Sequence, residues 1–221
     1  MTQADFEGLN ASFIADAIQR LHGADFVRQH ELLGFSALTS RAALGHAYTV
    51  RVKVATSKTG EERRRWFDAI DNAPAGSIFV IQASEDVGAA VFGEMVALRL
   101  HAIGLAGAIV DGLSRDIQQI RDIGFPYWTR FITMRGMIPD DADTHVGDEV
   151  KIGDVSIKPG DLISADCDGV VVCPKDKVQE VLGVARTFRD SEVLTQHKLR
   201  SGGRLLDAYP SKTSIQLGTK H

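Results

Sequence analysis

Three side chains stand in a pattern that could do chemistry. Glu94 follows Gly93, and twenty residues separate it from the pair Arg115-Asp116. Carboxylates hold hard divalent cations through oxygen, and magnesium takes few of them beside several waters. A guanidinium clamps a carboxylate through two parallel hydrogen bonds. A helix start offers unpaired backbone N–H groups and the positive end of a dipole, which draw an anion. Together these groups suit a divalent metal and a small carboxylic acid.

They can act together only if folding joins them. Ser77-Ile78-Phe79-Val80-Ile81 is a short apolar run after the turn Pro74-Ala75-Gly76, and reads as a buried strand. A helix opens at Gly93-Glu94 and runs to about Ile103, where Gly104 is placed to end it in the left-handed conformation. Ala108-Ile109-Val110 is β-branched and short, a second buried strand ending at the turn signal Asp111-Gly112. Arg115 and Asp116 then open the next helix. This is a βαβ unit with parallel strands and a right-handed crossover. Parallel strands end on one edge of the sheet, where ligands bind in open α/β proteins. The two helix starts therefore share one rim.

Gly93-Glu94, the twenty-residue gap and Arg115-Asp116, with Gly107 and Val110-Asp111-Gly112 between, resemble the signature of the RraA-like superfamily. Within it, the pattern resembles the 4-hydroxy-4-methyl-2-oxoglutarate/4-carboxy-4-hydroxy-2-oxoadipate aldolases. Further similarity lies in Asp16-Ala17 of the opening helix, the strand Ala47-Tyr48-Thr49-Val50, Lys158-Pro159-Gly160-Asp161, and the stretch from Ala165 to Val172. Roughly residues 10 to 200 are covered.

The resemblance implies a three-layer β/β/α, swivelling-domain-like fold, and homotrimers or homohexamers with active sites at subunit boundaries. It implies cleavage of a 4-hydroxy-2-oxo diacid to pyruvate and a second oxo acid, with oxaloacetate decarboxylation as a side activity. Breaking the C3–C4 bond leaves an enolate, which Mg²⁺ or Mn²⁺ stabilises as a Lewis acid. Asp116 is the expected metal ligand, with Glu94 binding directly or through water. Arg115 clamps the carboxylate and the enolate. A guanidinium stays charged in proteins, so Arg115 is not the base. Backbone N–H groups of Gly93, Glu94 and Met95 are expected to hold the pyruvate carboxylate. The family acid at the Glu94 position is often Asp, so the longer side chain sets the metal differently. Glu192 is similar to a family acid that reaches a neighbouring subunit's site. Related chains also include regulators of an RNA-degrading endonuclease, for which Arg115-Asp116 is unnecessary. Other 2-oxo acid reactions, such as decarboxylation, tautomerisation or a lyase step, would use the same metal site.

Composition narrows the field. The 221 residues are 44% hydrophobic and 24% charged, with net charge −4, which fits one globular domain over residues 1–221 ending in a helical extension. No basic stripe with interleaved aromatics marks a nucleic-acid groove. Arg63-Arg64-Arg65 follows Glu61-Glu62 and reads as a solvated helix face. No apolar run is long enough to cross a membrane, and no signal peptide is visible. Two cysteines, an exposed Cys167 and a core Cys173, fit reduced thiols in a cytoplasmic setting. The seven histidines form no zinc motif, and no glycine-rich nucleotide loop is present.

Elsewhere, Asn10 caps a helix carrying Phe13, Ile14, Ala17, Ile18 and Leu21, which Gly23 ends. Tyr48 to Ala55 reads as a strand, the stretch with Trp66, Phe67 and Ile70 as a helix, and Pro126 to Phe131 as a strand. Ile117 to Ile123 is a short helix closed by Gly124. Pro139 to Thr144 reads as an acidic loop, without the EF-hand spacing. Short strands split by glycine turns fill Gly147 to Cys173. A long helix runs from Pro174 to Gly202-Gly203, before a polar tail after Tyr209 that is expected to be mobile. Each acid of the pattern has a plainer role as well. An acid in a first helical turn complements the dipole, Asp111 can simply form a turn, and Glu192 can be a surface glutamate.

Overall fold

A computed structural model describes residues 6–137 and 139–209; the tail after Tyr209 lies outside the described residues. Helices α1 (Ala11–His22) and α2 (Ala24–Arg28) precede two short strands, β1 (Glu31–Leu32) and β2 (Ser36–Ala37), and the long strand β3 (Ala43–Val54). The core continues through α3 (Glu62–Asp71), β4 (Ile78–Ala83), β5 (Ala90–Phe92), α4 (Glu94–Ala102), β6 (Gly107–Ser114), α5 (Ile117–Ile123) and β7 (Tyr127–Ile132). Then come β8 (Ala142–Val146), β9 (Val150–Ile152), β10 (Val155–Ile157), β11 (Leu162–Ala165) and β12 (Val170–Cys173). Helices α6 (Val178–Arg200) and α7 (Leu205–Ala208) end the described chain.

The main sheet runs β1-β12-β11-β3-β4-β6-β7-β2, with β5 added to β6 and β8 to β3. Pairs β3–β4, β4–β6, β5–β6 and β6–β7 are parallel. Side chains alternate across a strand, and here both faces are covered, so Ile78-Phe79-Val80-Ile81 is buried throughout. Phe79 and Ile81 pack with Trp66, Leu100 and Ile120 of the helices on one face. Val80 and Ile109 pack on the other with Val150, Ile152, Val155 and Ile157 of the β9–β10 hairpin. Hairpin, sheet and helices are the three layers of the expected β/β/α architecture. A third cluster joins α1 and α6 to β11 and β12.

Asn10 caps α1 as expected, accepting from the Phe13 N–H at 2.9 Å. Gly104 and Gly124 have positive φ just past α4 and α5. Three expectations need correction. Asp111-Gly112 is no turn: β6 runs on to Ser114, because β5 supplies a fresh partner beyond the end of β4, pairing Ala90 with Leu113 and Phe92 with Ser114. Asp111 instead pairs with Arg130 at 3.1 Å. The stretch from Pro139 to Thr144 is only partly a loop, since Ala142–Val146 forms β8, whose Ala142 and Thr144 turn inward against β3. Its acids have partners: Arg63 pairs with Asp140, Lys58 with Asp141, and the His145 ring lies 3.0 Å from Asp143. Finally, β3 begins at Ala43, five residues before the expected start, because β11 pairs with its first part.

Glu62 carries a pH-dependent share of stability. The residue is 3% exposed, and its carboxylate accepts from the Thr59 N–H at 2.6 Å, the Thr59 hydroxyl at 2.9 Å and the Gly60 N–H at 2.9 Å. These donors hold its pKa down to about 2. A carboxyl depressed on folding stabilises the native state above its unfolded pKa, and loses that contribution as pH falls toward the folded value. Between pH 4.5 and about 2 the wild type should therefore lose urea resistance that Glu62→Gln lacks at every pH. Parallel urea midpoints for the two proteins across that window would dismiss the assignment.

Candidate active site

The rim is built by a strand absent from the sequence reading. After β4, the chain makes a 3₁₀ turn over Glu85–Val87 and returns as β5 alongside the end of β6. Glu94 is therefore delivered by β5 rather than directly by β4. The Phe92 carbonyl accepts the Arg115 N–H at 3.0 Å, which places Gly93-Glu94 against Arg115-Asp116.

Asp116 has φ 58° and ψ 38°, and is the one positive-φ residue other than glycine among the described residues. Such a conformation costs on the order of 1–3 kcal/mol and persists where surrounding structure imposes it. Asp116 stands at the N-cap of α5 but makes no side-chain bond to that helix. Its Oδ2 accepts the Glu94 N–H at 3.2 Å, so it closes the first turn of the neighbouring helix α4. Gly93 permits the approach: a Cβ there would stand 2.7 Å from Asp116 Oδ2. The plain role of a dipole-complementing acid thus applies to Asp116 at the adjacent helix α4 rather than at its own helix. One carboxylate oxygen is engaged this way, which leaves Oδ1 for a ligand.

Arg115 Nε lies 3.4 Å from Asp116 Oδ2. Its guanidinium rests against the backbone of Gly136, where a Cβ would come within 2.5 Å of Nη1 and 3.2 Å of Cζ. That backbone is pinned to β5, the Ala90 N–H donating to the Arg135 carbonyl at 2.7 Å and the Met137 N–H to the Ala90 carbonyl at 3.3 Å. Below the pair lies a buried hydroxyl cluster. Ser114 Oγ bonds to the Tyr127 hydroxyl and, at 2.9 Å, to Thr129 Oγ1. Phe92 stacks on Tyr127 with ring centroids 4.5 Å apart. Burial pushes the Tyr127 phenol well above its ordinary pKa, so it stays a neutral hydrogen-bonding group. Ser114, Tyr127, Thr129 and Gly136 were not found by sequence reasoning. The one signal of the three hydroxyl residues, polar positions inside apolar strands, is common to many structural hydroxyls, and Gly136 gave none.

Of the backbone donors expected at this rim, the Glu94 N–H already serves Asp116. The first intrahelical bond of α4 runs from the Ala97 N–H to the Gly93 carbonyl, so the Met95 and Val96 N–H groups have no helical acceptor. The Met95 side chain is exposed, and Glu94 is partly buried. Glu192 is exposed on α6, whose buried face packs on α1 and the β11–β12 side of the molecule, and it does not line the rim within this chain. A cavity of about 170 Å³ opens beside Arg115 and Asp116.

The Asp116 carboxylate meets the backbone of Glu94 at the start of α4, and Glu94 itself does not line the cavity; an aspartate with a glutamate is a donor set suited to a hard cation that keeps several waters. The described residues hold one group of three potential ligands with all ligating atoms within 4.8 Å, Asp166, Cys167 and Asp168. There, Asp166 already accepts the Ala11 and Asp168 N–H groups, which ties it to the start of α1 beside the Asn10 cap and to its own turn. No helix among the described residues is long and apolar enough to cross a membrane.

A sheet with a parallel centre between a hairpin and a helical layer, with a charged pair between two helix starts on its carboxyl rim, defines the class: a three-layer α/β protein. The chain belongs to the RraA-like family, described as Aldolase/RraA, whose model matches residues 11–172. A protein of Halalkalibacterium halodurans named "Putative 4-hydroxy-4-methyl-2-oxoglutarate aldolase" is 32% identical over 147 residues, 65% of this chain and 68% of that one. An uncharacterized protein from Pseudomonas syringae pv. tomato has a crystal structure that superimposes with TM-score 0.76 at 26% identity, covering 93% of this chain and 94% of its own. RraAS2 of Streptomyces coelicolor, titled an unusual member of the RNase ES inhibitor RraA protein family, superimposes with TM-score 0.72 at 27% identity, covering 89% and 97%.

Proposed function

We propose that this chain is a divalent-metal-dependent carbon–carbon lyase that cleaves 4-hydroxy-2-oxo acids to pyruvate and a second carbonyl compound. The observation that carries the reading is Asp116, held left-handed against Gly93 with Arg115 alongside. The aldolase names of several relatives support it. Asp116 and Glu94 would hold Mg²⁺ or Mn²⁺. The ion, when bound, supplies Lewis-acid stabilisation of negative charge on the 2-oxo oxygen.

The residues perform the rest. Arg115 binds the C1 carboxylate and keeps the 2-oxo acid in the plane that the leaving electron pair needs. The Met95 and Val96 N–H groups add donors and the positive end of the α4 dipole. Loss of the 4-hydroxyl proton turns C4 into a carbonyl as the C3–C4 bond breaks. The electron pair stays on C3 as the enolate, and C3 then takes a proton to give pyruvate. Glu94, partly exposed at the rim, orients the water that carries both protons. Decarboxylation of oxaloacetate passes through the same enolate.

The test is pyruvate release from 4-hydroxy-2-oxo acids and from oxaloacetate, before and after chelation. EDTA should abolish turnover, and Mg²⁺ or Mn²⁺ should restore it. Full turnover in the stripped protein would refute metal dependence. The likeness to RraAS2 favours a second reading, a protein inhibitor of an RNase. That role places no demand on Arg115 or Asp116, so inhibition that survives loss of both would favour it.

Gly136→Ala provides a more local check. The added methyl displaces a flexible guanidinium rather than backbone, so stability should change by no more than about 0.5 kcal/mol. Turnover should fall roughly tenfold, since small misplacements of a clamp are costly. In an Arg115→Ala background the same change should do nothing further. Additive losses in the double variant would deny that Gly136 acts through Arg115.

A further inference from the structure

The cavity beside Arg115 and Asp116 has a composition that bears on the rest of the substrate. Its walls are Trp66, Phe67, Val91, Met95, Val96 and Met137, and among the described residues its only charged side chains are Arg115 and Asp116. Both are already committed, one to the 2-oxo carboxylate and one to the cation. Phe67 and Met95 are 44% and 65% exposed, so the apolar surface continues from the cavity onto the rim. Among the nearby cations, Arg63 is held by Asp140, Arg64 by Glu61 and Asp68, Arg99 by Asp71 and Lys58 by Asp141, while Arg65 and Arg135 are exposed and do not line the cavity. A second carboxylate entering here would lose water and meet rings and thioethers, which is unfavourable without a partner. At about 170 Å³ the space is also smaller than the ~300 Å³ at which ordinary ligand pockets begin.

Resting on the lyase reading above, we infer that the cavity is the subsite for the C4 substituent, and that this chain prefers 4-hydroxy-2-oxo monoacids with a small uncharged group there over diacids. The group would leave as a short aldehyde or ketone, with pyruvate as the other product.

The experiment compares 4-hydroxy-2-oxopentanoate with 4-hydroxy-2-oxoglutarate, which differ at C4 by a methyl or a carboxylate, using the full chain with Mn²⁺. The methyl compound should have a kcat/KM at least tenfold higher. Phe67→Arg, at a half-exposed position on α3, should narrow or invert that ratio while cleavage of the methyl compound continues. A diacid cleaved as well or better by the wild type overturns the subsite and leaves the lyase intact. If neither compound is cleaved, the lyase reading falls, and calorimetry with Mn²⁺ decides the subsite separately. The probes are 2-oxopentanoate and 2-oxoglutarate, which carry the same methyl and carboxylate. Tighter binding of 2-oxopentanoate sustains the subsite, whereas equal or tighter 2-oxoglutarate, or no binding of either, overturns it.

Discussion

Arg115→Lys should lower turnover by roughly a hundredfold or more while the protein melts at nearly the same temperature. Lysine keeps the charge but loses the planar fork that matches a carboxylate. One donor aimed at developing charge is typically worth about 2.7–4 kcal/mol in the transition state. Nothing in the core depends on the change, because the guanidinium is about half exposed and rests on the Gly136 backbone. A surface arginine with no chemical role would cost at most about 0.5 kcal/mol when replaced. Kinetics and melting temperature measured on the same preparation separate the two cases. Near-normal turnover in a folded variant would return Arg115 to a solvated surface role and weaken the lyase assignment with it.

The larger loss is expected at Asp116. Asp116→Asn retains an oxygen for the Glu94 N–H, and asparagine tolerates positive φ nearly as well as aspartate does. The fold should therefore stand, while the charge that would hold the cation is gone. Turnover should drop by about a thousandfold, the upper end for a charge-stabilising group, and Mn²⁺ affinity should fall by at least about tenfold. Asp116→Gly sharpens the point. Relief of left-handed strain, about 1–2 kcal/mol, would roughly offset the lost cap on α4, about 0.5–2 kcal/mol. A protein that melts normally yet neither turns over nor binds Mn²⁺ is the expected result. If Asp116→Asn binds Mn²⁺ and turns over like the wild type, Asp116 is only a cap.

How much of this was visible in residues alone depends on the range of the signal. The parallel core was legible, because Ile78-Phe79-Val80-Ile81 and Ala108-Ile109-Val110 are apolar runs flanked by glycine turns, and such runs report burial locally. Spacing then placed Glu94 and Arg115-Asp116 on one rim. β5 was illegible, since three apolar residues after a glycine turn carry no period, and only the edge offered by β6 makes them a strand. That omission led to Asp111-Gly112 being read as a stop. The left-handed state of Asp116 was hidden for the same reason: it follows from Gly93 and Glu94 of another element, and no neighbour in sequence announces it. Gly136 gave no sign of its role, because a glycine beside Arg115 in space is, in sequence, an ordinary loop residue twenty-one positions away.

The long strand β3 has an implication for synthesis of the chain. Its antiparallel partners, β8 and β11, are translated about 90 and 110 residues after it. While residues 94 to 116 leave the ribosome, β3 can form its parallel pair with β4, but both other stretches of its backbone stay open. Non-local pairings of this kind are slow and leave strand edges exposed to other nascent chains. The rim with Glu94, Arg115 and Asp116 can thus assemble on a half-finished sheet, and the last strands to arrive seal its edges rather than shape it. Truncation after Met137 should accordingly yield a product that aggregates through β3, even though every residue of the rim is present.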